Sequence, residues 1–143
     1  DLVVGKSILM YSDTGVGSIA TRWRQQLNEN SKLLVNTQMF PEMNHNELVG
    51  WESGDDSIAA LFLHTHEDHP RTAERMRLCK AIFSEAGASV EEVHAVGQTR
   101  LQRWMYLVHL GDWLSLLMAE KTGVDPVDIR HIDYLKGELA KMA

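Results

Sequence analysis

Residues 57–65, SIAALFLHT, form a short apolar run that reads as a strand, and Pro70 soon afterwards opens a helical pattern that lasts to Glu85. Ala73, Met76, Cys79, Ile82 and Phe83 make that helix's expected core stripe, and Gly87 follows its end. The same alternation holds on both sides. SILMYS (7–12), LLVNTQM (33–39) and VEEVHAVG (90–97) also read as strands. Between the first two lies a helix whose Val16, Ile19, Ala20, Trp23 and Leu27 share one face, with Arg22, Arg24 and Gln25 opposite. Residues 101–118 are apolar almost all round, which marks a helix buried between layers or at a subunit contact. A last helix is expected to open with Asp125 as N-cap and Pro126 at its first position. Strand and helix alternating at this spacing require right-handed crossovers. The expected fold is therefore α/β: one three-layer αβα domain over residues 1–143, with a mostly parallel sheet of four to five strands flanked by helices.

Composition narrows the function classes. The 143 residues carry 14 Lys and Arg against 20 Asp and Glu, a formal charge of -6, and 44% are apolar. That length suits one domain with a real core. No block of basic residues supplies the footprint of a nucleic-acid or anionic-membrane binder, and no apolar run approaches the ~20 residues of a spanning helix. A cytoplasmic protein is expected, without cofactor. The lone Cys79 cannot form an internal disulfide and reads as a small buried hydrophobe. The chain opens on Asp1 rather than Met, so a piece of a longer protein is expected.

Two constellations carry chemistry. His64, His66, Asp68 and His69 spell H-x-H-x-D-H directly after an apolar strand, and this spacing resembles the zinc signature of the metallo-β-lactamase hydrolases. That likeness implies a longer chain with sandwiched sheets and further ligands, whereas here Pro70 follows at once and His94, His109 and His131 sit in differently patterned segments. In a parallel α/β fold the same residues form a loop from strand to helix, with Asp68 or His69 as cap.

The second constellation is RWRQQLNENSK (22–32) followed by PEMNHNELVGWE (41–52). It resembles the second half of the bifunctional phosphoglucose/phosphomannose isomerases of the sugar isomerase (SIS) superfamily. Arg22, Trp23, Asn28, Glu29, Asn30, Lys32, Pro41, Glu42, Asn44, His45, Asn46, Glu47 and Gly50 all match that pattern. The similarity continues through HPR (69–71) and Arg75, then Gly111, Asp112, Trp113 and Ser115, then Asp125-Pro126 and Leu135-Lys136. Shared order across separate motifs makes it far more specific than the local zinc signature.

The resemblance implies an SIS-type domain that isomerises an aldose to a ketose through an enediol, on glucose 6-phosphate or mannose 6-phosphate. It implies Glu29 as the base that shuttles a proton between C1 and C2. His45 would assist ring opening in the partner subunit's site of a homodimer, and Lys136 would be the third catalytic group. It also implies an N-terminal SIS domain of the same protein that grips the substrate phosphate.

The residues bear a reading of their own. Glu29 points roughly 120° away from the core stripe at a helix C-terminus, where the dipole raises a carboxylate's proton affinity and suits a base, while Asn30 is placed to cap. The alternative for Glu29 is a solvated surface residue. Asn44 with Glu47 makes a capping-box pattern, which sets His45 at the first helical position and favours neutral imidazole; a structural hydrogen-bonder is the alternative there. On the last helix Ile129, Ile132, Leu135 and Leu139 are the expected buried face, and Lys136 falls on that side, where it must snorkel, pair or face a cavity. The turn Ser12–Ser18 opens a helix N-terminus, but Asp13 makes it an unattractive phosphate site. Three functions follow: an isomerase domain incomplete without its N-terminal half, a non-catalytic sugar-phosphate-binding or dimerisation module, or a zinc hydrolase through His64, His66, Asp68 and His69.

Overall fold

The computed structural model describes residues 3–142. Four strands, β1 (Ser7–Asp13), β2 (Val35–Phe40), β3 (Ile58–His64) and β4 (Ser89–His94), form one parallel sheet in the order β2-β1-β3-β4. Five helices accompany them: α1 (Gly17–Ser31), α2 (Glu47–Gly50), α3 (Pro70–Glu85), α4 (Arg100–Thr122) and α5 (Arg130–Leu139). Successive strand residues feed opposite faces. Met10, Leu61 and Leu63 join the core under α1 and α4, while Tyr11, Ala60 and Phe62 join the core under α3 and the turns of residues 42–53. The three layers and the parallel sheet are as expected.

In α1 the expected stripe is buried as read: Val16 before its start, then Ile19, Ala20, Trp23 and Leu27. In α3 the stripe is rotated. Thr72, Met76, Cys79 and Phe83 are buried, whereas Ala73 is exposed and Ile82 is 40% exposed. Phe83 stacks flat on Trp51, ring centroids 3.7 Å apart, and this contact fixes the helix rotation so that Ile82, 100° round, meets solvent.

One alternative for α4 and two expectations about the last helix are corrected. α4 buries Leu107, Gly111, Ser115, Met118 and Ala119 on one side only; Leu101, Met105, Trp113, Leu116 and Leu117 stay exposed, so it is not sandwiched within this chain. α5 begins at Arg130, not at Asp125, whose side chain accepts the Val127 N–H (2.9 Å) in a preceding turn. Every residue of α5 is exposed, including Ile132, Leu135 and Leu139. Both sheet faces are already covered by α1, α3 and α4, so the fold leaves α5 no layer to enter.

The α1–α4 seam is tight. The Trp23 indole N–H donates to the Leu107 carbonyl at 2.7 Å, and a Cβ at Gly111 would lie 2.4 Å from that indole nitrogen. Gly111 therefore supplies a notch that no side chain can share. Gly111→Ala should cost about 1–3 kcal/mol through overpacking, read as a lower urea midpoint with an unchanged denaturant slope.

Candidate active site

The Asn-Glu-Asn triplet ends α1, and its two asparagines are consumed by the scaffold. Asn28 accepts the Val35 backbone N–H at 3.0 Å, tying the helix end to the start of β2. Asn30 donates to Gln26 at 3.0 Å and to the Ser115 hydroxyl at 2.8 Å, so it bridges to α4 rather than capping α1. The cap is Lys32, in left-handed conformation at φ 58, whose ammonium also holds the Glu29 carbonyl at 2.6 Å. Glu29, between the two asparagines, is exposed, and its carboxylate enters none of the hydrogen bonds or ion pairs among the described residues.

His45 is placed in the same manner. It closes a 3-10 turn, Glu42–His45, and does not open a helix; the α2 cap is Asn46, whose side chain accepts the Glu47 N–H at 2.6 Å. The expected pairing of Asn44 with Glu47 fails because both are bound elsewhere. Asn44 accepts from Arg75 of α3 at 3.2 Å and donates to the Cys79 sulfur at 3.3 Å. The Glu47 carboxylate accepts the hydroxyl of buried Tyr11, and burial followed by that carboxylate pushes the phenol far above its ordinary value. Cys79 is buried as expected, and burial likewise raises its thiol. With its neighbours fixed, the exposed His45 imidazole enters none of the hydrogen bonds among the described residues.

A cavity of about 410 Å³ opens at the end of α1, lined by Asn28, Glu29, Lys32 and Leu33 on one side and by residues 128–132 on the other. Ile132 lines it, and Lys136 stands one turn further along the same side of α5. The structure thus brings Glu29 to the base of the helix that carries Lys136. It does not bring His45 there. α1 runs back from the C-terminal end of β1, so Glu29 lies beside the N-terminal end of β2, while His45 follows the C-terminal end. β2 has six residues, which at ~3.3 Å each puts roughly 20 Å between the two groups.

The H-x-H-x-D-H stretch and the glycine turn are both engaged within the fold. The Asp68 carboxylate accepts from the Thr65 N–H at 3.0 Å and the Thr65 hydroxyl at 2.8 Å, and His69 caps α3 by accepting the Arg71 N–H at 3.1 Å. His66 is exposed. His64, His66, Asp68 and His69 do not form a ligand set; the three-donor group among the described residues is His64, Glu92 and His94, which the sequence reading missed because Glu92 and His94 lie on another strand. At the glycine turn the Asp13 carboxylate accepts the Gly15 N–H at 2.8 Å, occupying a donor that a phosphate would need.

Residues 2–139 match the bacterial phospho-glucose isomerase C-terminal SIS domain family. The chain belongs to that family. This SIS domain is 41% identical over 128 residues to the bifunctional phosphoglucose/phosphomannose isomerase of Caldicellulosiruptor bescii, covering 87% of this chain and 38% of that protein. To the enzyme of the same name from Aquifex aeolicus it is 36% identical over 143 residues, covering 99% of this chain and 45% of the relative. The chain therefore spans less than half the length of these relatives. Among solved structures, a glucose-6-phosphate isomerase like protein from Thermus thermophilus aligns with a TM-score of 0.68 at 25% identity, over 88% of this chain and 43% of that one. Glucosamine-6-phosphate deaminase from Thermotoga maritima shares the fold, with a TM-score of 0.65 at 14% identity over 87% of this chain and 38% of its own. No helix among the described residues of the SIS domain is long and apolar enough to cross a membrane.

The cavity wall carries one titration that reports on the start of α5. Hydrogen bonds from the Arg130 guanidinium, then from its backbone N–H (3.0 Å), hold the Asp128 carboxyl down at about 2. Because the folded value lies below the ordinary 3.8, this link is fully present above that value and is lost as pH falls through about 2. In Arg130→Gln the Asp128 carboxyl should titrate closer to 3.8, as read by carbon NMR of the labelled carboxyl.

Proposed function

We propose that this SIS domain supplies the proton-transfer groups of a phosphosugar isomerase acting on glucose 6-phosphate or mannose 6-phosphate, within a longer chain whose other SIS domain grips the phosphate. The observation that carries this reading is the anchoring of Asn28 and Asn30 around an unengaged Glu29 that faces the cavity. The bonds of its neighbours fix the backbone at Glu29, and its carboxylate is left open to accept a proton from substrate. Glu29 removes the proton from C2 of the open-chain aldose while the C1 carbonyl oxygen gains one, giving the enediol. The same carboxyl returns its proton to C1, and the C2 hydroxyl loses its own to become the ketone. The enediol is common to glucose and mannose phosphates, since C2 loses its configuration there. The Lys136 ammonium, one turn beyond the cavity lining, offsets charge on the enediolate oxygens.

His45 enters from a partner copy in a homodimer. What supports this is the strand length that keeps His45 and Glu29 of one chain at opposite ends of the sheet. An imidazole there donates to the ring oxygen and accepts from the anomeric hydroxyl as the ring opens. The exposed apolar residues Leu101, Met105, Trp113, Leu116 and Leu117 of α4 also suit a second reading, a non-catalytic dimerisation module.

Glu29→Gln in the full chain should lower kcat by about 10²–10⁴-fold with the melting temperature unchanged; a module without catalysis has no rate to lose. Mixed dimers separate the two placements of His45. Chains carrying Glu29→Gln and chains carrying His45→Ala, each nearly inactive, should on random mixing recover about a quarter of the wild-type rate, because one site of each hybrid holds both groups. No recovery means His45 serves its own chain. Residues 1–143 alone should turn over glucose 6-phosphate far more slowly than the full chain, measured by coupled assay; equal rates would overturn the assignment of phosphate binding to the other domain.

A further inference from the structure

At the C-terminal ends of β3 and β4, His64 and His94 sit opposite each other in the sheet register, their rings stacked with centroids 4.7 Å apart at 13°. Glu92 belongs to the same cluster, and one donor atom from each of the three lies within 4.8 Å of the others. The group is asymmetric in a useful way. Lys80 of α3 holds the Glu92 Oε2 oxygen, while Oε1 faces His64 Nε2 at 3.3 Å. That nitrogen is buried and has no hydrogen-bond partner. The other nitrogen of the ring, Nδ1, faces the Asp68 carboxylate at 3.6 Å, and Asp68 is fixed by two bonds to Thr65.

We propose that His64, Glu92 and His94 form a binding site for a divalent transition metal, with zinc the best fit. Two imidazoles and one carboxylate make a borderline nitrogen-oxygen donor set suited to zinc, with a fourth position left for water. A tetrahedral zinc needs its donors roughly 3.3 Å apart, given bonds of about 2.0–2.1 Å. His64 Nε2 and Glu92 Oε1 already have that spacing at 3.3 Å. His94, exposed at the edge strand, closes the remaining distance by side-chain rotation. The outer partners are in place before any metal arrives. Asp68 lies 3.6 Å behind Nδ1, a small shift from accepting its N–H and so leaving the Nε2 lone pair to the metal, and Lys80 holds Oε2 so that Oε1 is the free oxygen. Bound metal would join the ends of two strands to the loop of residues 65–69. Only His64 comes from the H-x-H-x-D-H stretch, with Asp68 behind it, so this is a different site from the hydrolase signature and independent of the isomerase reading.

Cobalt titration of the metal-stripped full chain tests this, with zinc as competitor. Expected are visible absorption bands of four-coordinate cobalt that saturate at one equivalent and are displaced by zinc, together with a zinc-dependent rise in Tm. His64→Ala and Glu92→Gln should each weaken binding more than tenfold, and Asp68→Asn by about 10–100-fold. His94→Ala, at an exposed position that leaves the core intact, should abolish both the bands and the Tm rise, while His66→Ala should change neither. Lack of saturable uptake would overturn the site, as would binding that survives His94→Ala and Glu92→Gln or is lost in His66→Ala.

Discussion

The seam between α1 and α4 sets everything downstream. Its centre is the Trp23 indole lying in the Gly111 notch and bonded to the Leu107 carbonyl. Burying a large side chain contributes about 1.5–3 kcal/mol, whereas an exposed ion pair contributes about 0–1 kcal/mol. The Arg22–Asp112 pair flanking the indole is about two-fifths exposed on each side, so the apolar contact dominates the energy. The polar contacts do something else. Arg22 on Asp112, Asn30 on the Ser115 hydroxyl and Ser31 on the Ser115 carbonyl fix the rotation and register of α1 against α4. That register determines where the last turn of α1 presents its side chains.

The same device recurs on the other side of the sheet. Asn44 is bound by Arg75 and to Cys79, Asn46 caps α2, and Glu47 receives the Tyr11 hydroxyl from the core. Each such bond contributes only about 0.5–1.5 kcal/mol net, too little to fold the chain, yet together they remove the freedom of the segment around His45. In both motifs the residues next to the candidate are spent on the scaffold, and the candidate itself is left unbonded. An unbonded carboxylate or imidazole takes a proton without first losing a bond to the protein, which is what the proposed roles ask of Glu29 and His45.

The strands, the α1 stripe and the parallel topology were legible because each rests on local periodicity. Three of the errors share a different cause. Ile82 reads as core by spacing, but the Trp51–Phe83 stack from a distant turn rotates α3 away from it. Asn44 and Glu47 read as a capping box, but Arg75 and Tyr11 claim them first. The His64 cluster joins β3 to β4 and is invisible along any one loop, because the partners of His64 come from a neighbouring strand. Each of these three turns on a non-local contact, whereas Asp125 is lost as a helix cap to a local bond with Val127 and the apolar side of α5 finds no layer to pack on.

α5 shows why the catalytic proposal cannot be completed within a single chain. It has ten residues, and helices shorter than about 12–15 residues are marginal in water without tertiary contacts. No α5 residue is buried here, although Ile132, Leu135 and Leu139 form an apolar side. The Asp128–Arg130 link is local to the start of α5, and only residues 128–132 share the cavity lining with Glu29. Lys136 lies beyond that lining, and a side chain with about 2 kcal/mol of rotamer entropy does not hold one position on an unsupported helix. A fixed geometry between Glu29 and Lys136 then requires a surface against the apolar side of α5, just as the proposed role of His45 requires a neighbouring copy. On this reading one domain carries all three groups, but only assembly gives them a common substrate.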